Sequence, residues 1–437
     1  MFKTIIDAFK IKEVRRKILI VLFLLFLYRL GCWLPIPGIQ KSVFVDATAD
    51  KSGFLGLLST LSGGALSNAS ILALGVSPYI NASIIIQLLQ VAFPKLDELA
   101  KSGEEGRKKI NLYTRIAALI LAIAQAIGIT ASLNSGSLFD ANIWTEGWAG
   151  FAGMFTVVVL VAGAMFTVWL GERITETGIG NGLSLLIFVG ILSSAGTAIL
   201  SSITSIVSGG ADSVDYVWNL IVFLIAVVLV FAFIIFIDGA ERRIPVQYAK
   251  QVKGRKTYGG QSNFIPVRVN GSGVIPIIFA SAILSFPYMI IQLFGGDEAA
   301  KSYNSVMGSG TWLYIVLTAI LILFFSYFYA RITFNPEDIS KNIKQGGGFI
   351  NGVRPGRETT EFLSKVSNRI TLFGAIFLAF IALVPSVIFN VVGGDLGSGL
   401  TGAFSATGMM IVVSVALEFE KQLESQLITR NYKGFLN

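Results

Sequence analysis

Apolar stretches long enough to cross a lipid bilayer recur along almost the whole chain, and they constrain its fold more than any other feature. A membrane-spanning helix needs roughly 17–25 predominantly apolar residues. Only 14% of the 437 residues are charged, whereas about a quarter are charged in ordinary soluble domains. We therefore predict an all-α polytopic membrane protein. Its ten spans are expected near residues 18–34, 72–93, 112–132, 151–170, 181–203, 216–237, 274–294, 311–331, 370–390 and 401–419.

Lysine and arginine are distributed unequally between the two sides of the predicted membrane. Thirty of the 34 fall on one side, in both termini and in the loops that follow the even-numbered spans. Because basic segments stay in the cytoplasm, we predict that both termini are cytoplasmic. The net charge of +8 reflects either this topology alone or a partner of the two long basic loops, for which ribosomal RNA or an acidic protein surface would be suitable. The four exceptions are Arg29, Lys41, Lys51 and Lys301.

One unusual span is written twice. GVSPYINAS starts at Gly75 and GVIPIIFAS starts at Gly273, so the pattern G-V-x-P-x-I-x-A-S recurs 198 positions later. In the predicted topology the two copies cross the membrane in opposite directions. Inverted repeats of this kind place two halves around a path near the membrane midplane. We therefore predict halves at about 1–210 and 211–437 with five spans each, although any two spans that begin with proline could share part of this pattern.

The predicted spans offer apolar side chains for such a path and a few polar ones beside it. Val76 and Ile80 are four residues apart and share a helical face, as do Leu183 and Ile187. A ring of such side chains would exclude water and ions. Polar residues facing lipid are costly, so Asn81, Gln87 and Gln125 are expected either at the interface between halves or in ordinary contacts between helices.

A short apolar segment, SGFLGLLSTLSGGALSNAS, separates the first two spans. Apolar residues follow helical spacing on one face, but fourteen residues make only about 20 Å of helix, too short for the roughly 30 Å hydrocarbon core. A small apolar helix beside a pore would suit a stopper. An inert helix at the membrane surface is the alternative. The face consists of Phe54, Leu57, Leu58, Leu61 and Ala65.

Residues that carry covalent chemistry are scarce. The chain has no histidine and a single cysteine, Cys32, so neither an internal disulfide nor a metal site is expected, and the commonest general base is missing. Charged residues are nearly absent from the interiors of the spans, whereas ion-coupled carriers usually need an intramembrane carboxylate. We expect no enzymatic activity and no cofactor. A secondary transporter built on inverted repeats remains the alternative function.

Several long stretches resemble the signature sequences of the SecY family, the channel-forming subunits of bacterial protein translocases. The resemblance covers nearly the whole chain, in order. The stretches are YRLGCWLPIPGI (28–39), GVSPYINASIIIQLL (75–89), GERITETGIGNGLSLLIF (171–188), ERRIPVQYAKQ (241–251), GVIPIIFAS (273–281) and NGVRPGRET (351–359).

The resemblance implies a protein-conducting channel with a pore ring, a plug and a lateral gate. Unfolded secretory polypeptides would pass the ring, and signal sequences and transmembrane segments would leave sideways into membrane lipid between spans 2–3 and 7–8. The repeated helix would then form the two lips of this gate. The plug would be the segment around 53–67, with Phe54, Leu57, Leu58 and Leu61. The implied ring is Val76, Ile80, Leu183, Ile187, Ile278 and Ile411, and the implied gate residues are Asn81, Gln125 and Phe286.

The resemblance also implies partners. The basic loops at about 238–273 and 331–369 would dock the SecA motor ATPase or the ribosome, through its RNA and proteins, by way of Arg255, Lys256 and Arg354. SecE and SecG would be the small membrane subunits. No phosphate-binding loop of the G-x-x-x-x-G-K-[ST] type occurs in the chain, so a partner would have to supply the energy. The expected location is the bacterial cytoplasmic membrane.

Overall fold

A computed structural model describes most of the chain. The described residues are 2–49, 54–133, 138, 149–178, 180–207, 213–248, 251–253, 256–258, 262–271, 273–294, 296–308, 311–392, 404 and 406–433.

Helices dominate the described residues. They are α1 (Phe2–Lys10), α2 (Lys12–Gly31), α3 (Lys41–Ala49), α4 (Phe54–Leu61), α5 (Ser77–Ala92), α6 (Pro94–Lys101), α7 (Glu104–Leu133), α8 (Ala149–Glu176), α9 (Gly182–Val207), α10 (Ser213–Asp238), α11 (Ile275–Phe294), α12 (Gly296–Met307), α13 (Trp312–Thr333), α14 (Pro336–Gln345), α15 (Arg357–Val392) and α16 (Ala406–Lys433). The strands are β1 (Glu241–Tyr248), β2 (Gln251–Lys253), β3 (Lys256–Tyr258), β4 (Ser262–Arg268) and β5 (Gly348–Ile350).

Each of the ten predicted spans overlaps one of these helices, namely α2, α5, α7, α8, α9, α10, α11, α13, α15 and α16. Among the described residues, six helices are by themselves long and apolar enough to cross a membrane. The number ten therefore stays a prediction, although a multi-pass helical membrane protein is confirmed. The six are Glu104–Ala131, Phe151–Glu176, Gly182–Ile206, Val217–Asp238, Trp312–Gln345 and Arg357–Leu383.

Prolines set the boundaries of the second predicted span. Pro78 lies in the first turn of α5, where its missing N–H removes no helical hydrogen bond. Pro94 begins α6 after Phe93, whose extended backbone ends α5. The two helices meet at an angle of 106°. Turns occupy residues 62–76 before α5, so the helix begins later than the predicted start near residue 72.

The chain divides into two compact units, and the first contains Met1–Phe223, Ala282–Tyr314 and Ile388–Asn437. Within it α7 packs on α5 and α8, and α9 packs on α8, α16 and α4. Small residues allow these close contacts. A Cβ on Gly163 of α8 would overlap the carbonyl oxygen of Ile71, so only glycine lets α8 approach the turns so closely. The core of this unit includes Phe44, Leu58, Leu66, Leu74, Ala122, Ala126, Leu160 and Ala164.

The second unit contains Leu224–Ser281 and Ile315–Val387, and includes an antiparallel sheet with strand order β4-β1-β5. Strand β1 pairs with β4 from Glu241↔Arg268 to Gln247↔Ser262. Its other edge pairs with β5 from Val246↔Ile350 to Tyr248↔Gly348. Strands β2 and β3 form a separate two-stranded sheet. None of these strands was predicted, and the pairing of β1 with β5 joins the two basic loops.

A small apolar core fixes the three-stranded sheet against the helices of the second unit. Ile244 and Val246 of β1 are buried with Ile343 of α14 and Leu363 of α15. Asn335 caps α14 by accepting a hydrogen bond from the backbone N–H of Glu337 at 3.1 Å, a favourable use of asparagine at a helix start. The sheet that connects the basic loops is therefore packed against α14 and α15.

Candidate functional site

Five of the six predicted ring positions lie in the first unit. Val76 is the N-cap of α5 and is buried, and its carbonyl accepts a hydrogen bond from the backbone N–H of Ile80 at 3.1 Å. The predicted four-residue spacing therefore holds although Val76 precedes the helix. Ile80 and Leu183 are half-buried, and Ile187 on α9 and Ile411 on α16 are buried.

Helix α9 connects several of these positions. It carries Leu183 and Ile187, and it packs on α16, which carries Ile411. The sixth ring position, Ile278 on α11, is half-buried and belongs to the second unit. A closed ring of all six side chains therefore stays a prediction.

The candidate plug helix is α4 (Phe54–Leu61), and it packs on α9 and α3. It is shorter than the predicted segment, because turns follow from Ser62. Leu58 is buried in the core of the first unit. The backbone of Phe54, Leu57 and Leu61 is helical, but their side chains lie outside the described part of the chain.

Side chains from two long helices hold the end of this short helix. The Arg29 guanidinium of α2 donates to the Gly63 carbonyl at 2.9 Å and to the Ser193 hydroxyl of α9. The Ser194 hydroxyl donates to the Thr60 carbonyl at 3.2 Å. These contacts fix the backbone from residue 60 to 63.

Hydroxyl groups hold the other side of the plug helix. The Ser67 hydroxyl lies 2.7 Å from the Ser59 hydroxyl and 2.8 Å from the Thr48 hydroxyl of α3. The thiol of the buried Cys32 lies 3.9 Å from the Ser62 carbonyl. Polar groups of the plug segment are thus satisfied by its neighbours, as burial requires.

The predicted gate residues of the first two gate spans lie on packed helices. Asn81 on α5 is half-buried, and Gln125 on α7 is buried, with neither amide atom hydrogen-bonded within the described residues. The amide of Gln87 donates to the Ser83 hydroxyl at 3.0 Å. Phe286 lies on α11, but its side chain is outside the described part. The seam between these helices stays a prediction.

Arg354 extends from the loop after β5 into solvent. Its side chain is 87% exposed and lies 3.9 Å from the Glu358 carboxylate. Its backbone is fixed, because the Thr359 hydroxyl donates to the Arg354 carbonyl at 2.8 Å. An open groove of about 540 Å³ lies here, lined by Lys344, Gly347, Gly348, Phe349, Gly352, Val353, Arg354 and Pro355.

The other two predicted docking residues are Arg255 and Lys256. Lys256 begins β3, but its side chain is outside the described part, and Arg255 lies outside the described residues altogether. Pairing of β1 with β5 nevertheless joins the loop that carries them to the loop that carries Arg354.

The contacts of Arg29, Ser193 and Ser194 were missed by the sequence analysis. The sequence identifies Arg29 only as one of four basic residues on the less basic side of the predicted membrane. It lies 34 residues from Gly63 and 164 residues from Ser193 in sequence, so no local pattern could join them. The one available signal was an arginine near the end of an apolar span, where it needs polar neighbours.

Comparison with known proteins agrees with the architecture. The sequence model of the SecY family matches residues 70–420. The chain is 42% identical over 438 residues to the protein translocase subunit SecY of Streptomyces scabiei, with 98% of each chain covered. A solved structure described as a protein conducting channel aligns with a TM-score of 0.65 at 17% identity, covering 93% of this chain and 90% of the other. Sec61 in the canine ribosome-channel complex from the endoplasmic reticulum aligns with a TM-score of 0.61 at 16% identity, covering 93% and 90%.

The fold is therefore that of a helical membrane protein of the protein-conducting channel class. The chain belongs to the SecY family, because the family model matches residues 70–420 and the identity to a curated relative extends over almost the full length of this chain.

Proposed function

We propose that this protein forms the channel of a bacterial protein translocase, which passes unfolded secretory polypeptides across the cytoplasmic membrane. The observation that carries the proposal is 42% identity over 98% of the chain to a protein translocase subunit. Both termini would lie in the cytoplasm, in accordance with the distribution of basic residues. The chain itself would perform no covalent chemistry.

The proposed conduction path is closed by two barriers in series. The ring positions Val76, Ile80, Leu183, Ile187, Ile278 and Ile411 are all apolar, and a narrow apolar constriction excludes water and ions. The plug helix α4 would close the funnel on the outer side of the ring. Its packing on α9, which carries Leu183 and Ile187, supports this role.

Signal sequences and transmembrane segments would leave sideways into membrane lipid. Asn81, Gln125 and Phe286 are proposed to line this gate. Entry of an apolar helix into lipid is favourable by roughly 25 cal/mol per Å² of buried apolar surface, and that difference in affinity can open a gate whose closed state is favoured by only a few kcal/mol. Polar segments gain nothing sideways and would continue through the pore.

Energy would come from SecA or from the ribosome, docked on the basic loops through Arg255, Lys256 and Arg354. The exposure of Arg354 supports this role, because a planar guanidinium on a fixed backbone can pair bidentately with carboxylate or phosphate. The ribosome-bound state of the similar Sec61 structure favours the ribosome as one partner. SecE and SecG would complete the membrane complex.

Reconstitution tests the proposal directly. The full-length protein is placed in lipid vesicles with SecE, SecG and SecA, and a preprotein that carries a signal sequence is added with ATP. We expect the preprotein to become protected from external protease, while the same protein without its signal stays sensitive. Vesicles that take up small solutes but never protect the preprotein would contradict the proposal and favour a transporter.

A further inference from the structure

The contacts at the end of the plug helix involve a cation in an unusual place. Arg29 is half-buried, and its guanidinium bonds to neutral groups, namely a backbone carbonyl, a hydroxyl and the Cys32 thiol. Among the described residues no carboxylate forms an ion pair with it. A half-buried cation depends strongly on such hydrogen bonds, so the plug backbone and Arg29 stabilise each other.

The plug segment contacts one face of α9. Ile187, Gly190 and Ser194 are spaced by three and four residues, and such residues share a helical face. Gly63 has a positive φ of 70°, and a Cβ on it would lie 2.8 Å from the Cα of Gly190. Glycine at both positions allows the backbone after the plug helix to lie directly on α9. The same face carries the predicted ring residue Ile187.

We propose that Arg29, Ser193 and Ser194 form a plug latch that sets how hydrophobic a signal sequence must be to open the channel. The latch consists of the bonds from Arg29 to Gly63 and to Ser193, and from Ser194 to Thr60. Displacing the plug must break the bonds to Gly63 and Thr60, whereas the bond to Ser193 keeps the Arg29 guanidinium in place. An inserting signal sequence therefore has to supply more binding free energy when the latch is intact, because a ligand shifts an equilibrium only by its differential affinity.

The geometry also explains why the latch can reclose. Arg29 is bonded to both the plug backbone and α9, so it stays on α9 through Ser193 when Gly63 leaves. The guanidinium is then already oriented for the returning carbonyl, and a preorganised donor loses little entropy on rebinding. Arg29 acts on the plug backbone as a positioning residue. The proposal rests on the proposed function, in which α4 is the plug.

The native Cys32 supplies a reporter that does not depend on protein export. It is the single cysteine of the chain, it is buried, and its thiol lies beside the Ser62 carbonyl. A membrane-impermeant maleimide is added to the side of the membrane opposite the basic loops. We expect it to react slowly with the Cys32 thiol of the resting wild-type channel. Arg29→Ala is expected to raise this rate, but it also removes a hydrogen-bond partner of the Cys32 thiol, so the rate of Ser194→Ala decides the test. Ser194→Ala leaves the space around Cys32 filled and is expected to raise the rate a few-fold.

A double-mutant cycle distinguishes a latch from a general loss of stability. Arg29 and Ser193 share one hydrogen bond, so Ser193→Ala combined with Arg29→Ala should add little beyond Arg29→Ala alone. Ser202→Ala is the matched control, since Ser202 is a buried serine on α9 whose hydroxyl donates to Ala198 of the same helix. Its alkylation rate should equal that of the wild type.

Export of a preprotein with a defective signal sequence is the functional readout. The Arg29→Ala and Ser194→Ala channels should import it while importing the normal preprotein at the wild-type rate. Unchanged Cys32 alkylation in both variants, or an equal increase in Ser202→Ala, would overturn the latch. If the wild type imports no preprotein at all, the proposed function fails, and the alkylation rates still report on the latch.

Discussion

At the scale of single residues, Gln125 is one of the described side chains whose buried polar atoms have no hydrogen-bond partner. It is buried on α7, and both amide atoms lack a hydrogen-bond partner within the described residues. Leaving a buried polar group without a partner costs about 1–3 kcal/mol. Such a cost is tolerated where the group finds a partner in another state, and the proposed lateral gate offers one when it opens to water.

Replacing Gln125 by methionine should therefore stabilise the closed channel. Gln125→Met keeps nearly the same volume and removes the unsatisfied amide, so we expect the apparent melting temperature in detergent to rise by a few degrees, in keeping with about 1–3 kcal/mol. Weakly apolar signal sequences should also be exported more slowly. Gln87→Met is the control, because Gln87 has the Ser83 hydroxyl as a partner. A larger gain in the control would show that the closed state does not strain Gln125.

The ring positions give a second prediction at the residue scale. Ile411 is buried on α16 and Ile278 is half-buried on α11. An asparagine at either position should admit water to the constriction, so ion leakage should rise and preproteins with defective signals should pass. Single-channel conductance and export measure the two effects. Ion-tight variants that still reject defective signals would show that these residues do not line the constriction.

At the scale of elements, the sequence predicted what apolar periodicity specifies and missed what depends on distant pairing. Each of the ten predicted spans overlaps a helix, because long apolar runs form helices in lipid almost regardless of their other contacts. The plug segment became a helix of eight residues followed by turns. Its glycines at 63 and 64, both with positive φ, end the helix there, as glycine does at helix ends.

The sheet between the basic loops shows the same limit. Strand β5 has three residues and pairs with β1 about a hundred residues earlier in the chain, so no window of sequence contains both partners. The plug latch is invisible for the same reason. At these places the sequence shows only composition, namely basic residues in the loops and one arginine near the end of a span.

The paired copies of the repeated helix carry a prediction at the element scale. The lateral gate is proposed to lie between α5 and α11, with Asn81 and Phe286 at the seam. Asn81→Cys and Phe286→Cys should form a disulfide under oxidation, and bridging should block export until reductant is added. The native Cys32 is buried and should not compete. Undiminished export after complete bridging would show that the gate lies elsewhere, and each single cysteine variant is the control.

At the scale of the whole molecule, positive charge is concentrated in the two basic loops at about 238–273 and 331–369. In the second of these loops, Arg354 is held on a fixed backbone with its side chain 87% exposed. Charge on such a surface governs association with partners more than it governs folding. The proposed docking of a motor can therefore be lost while the membrane helices stay intact.

Charge reversal at Arg354 tests this separation. Arg354→Glu should reduce SecA-driven secretion by tenfold or more, because a glutamate repels the carboxylate or phosphate that the arginine would bind. Insertion of membrane proteins by ribosome-bound complexes should fall less. Arg357→Glu is the matched control, since Arg357, three residues later at the start of α15, is 92% exposed and pairs with Glu361 at 3.2 Å. An equal loss of both processes in both variants would mean that the loop, not Arg354, is sensitive to charge, and it would remove the assignment of Arg354 as a docking residue.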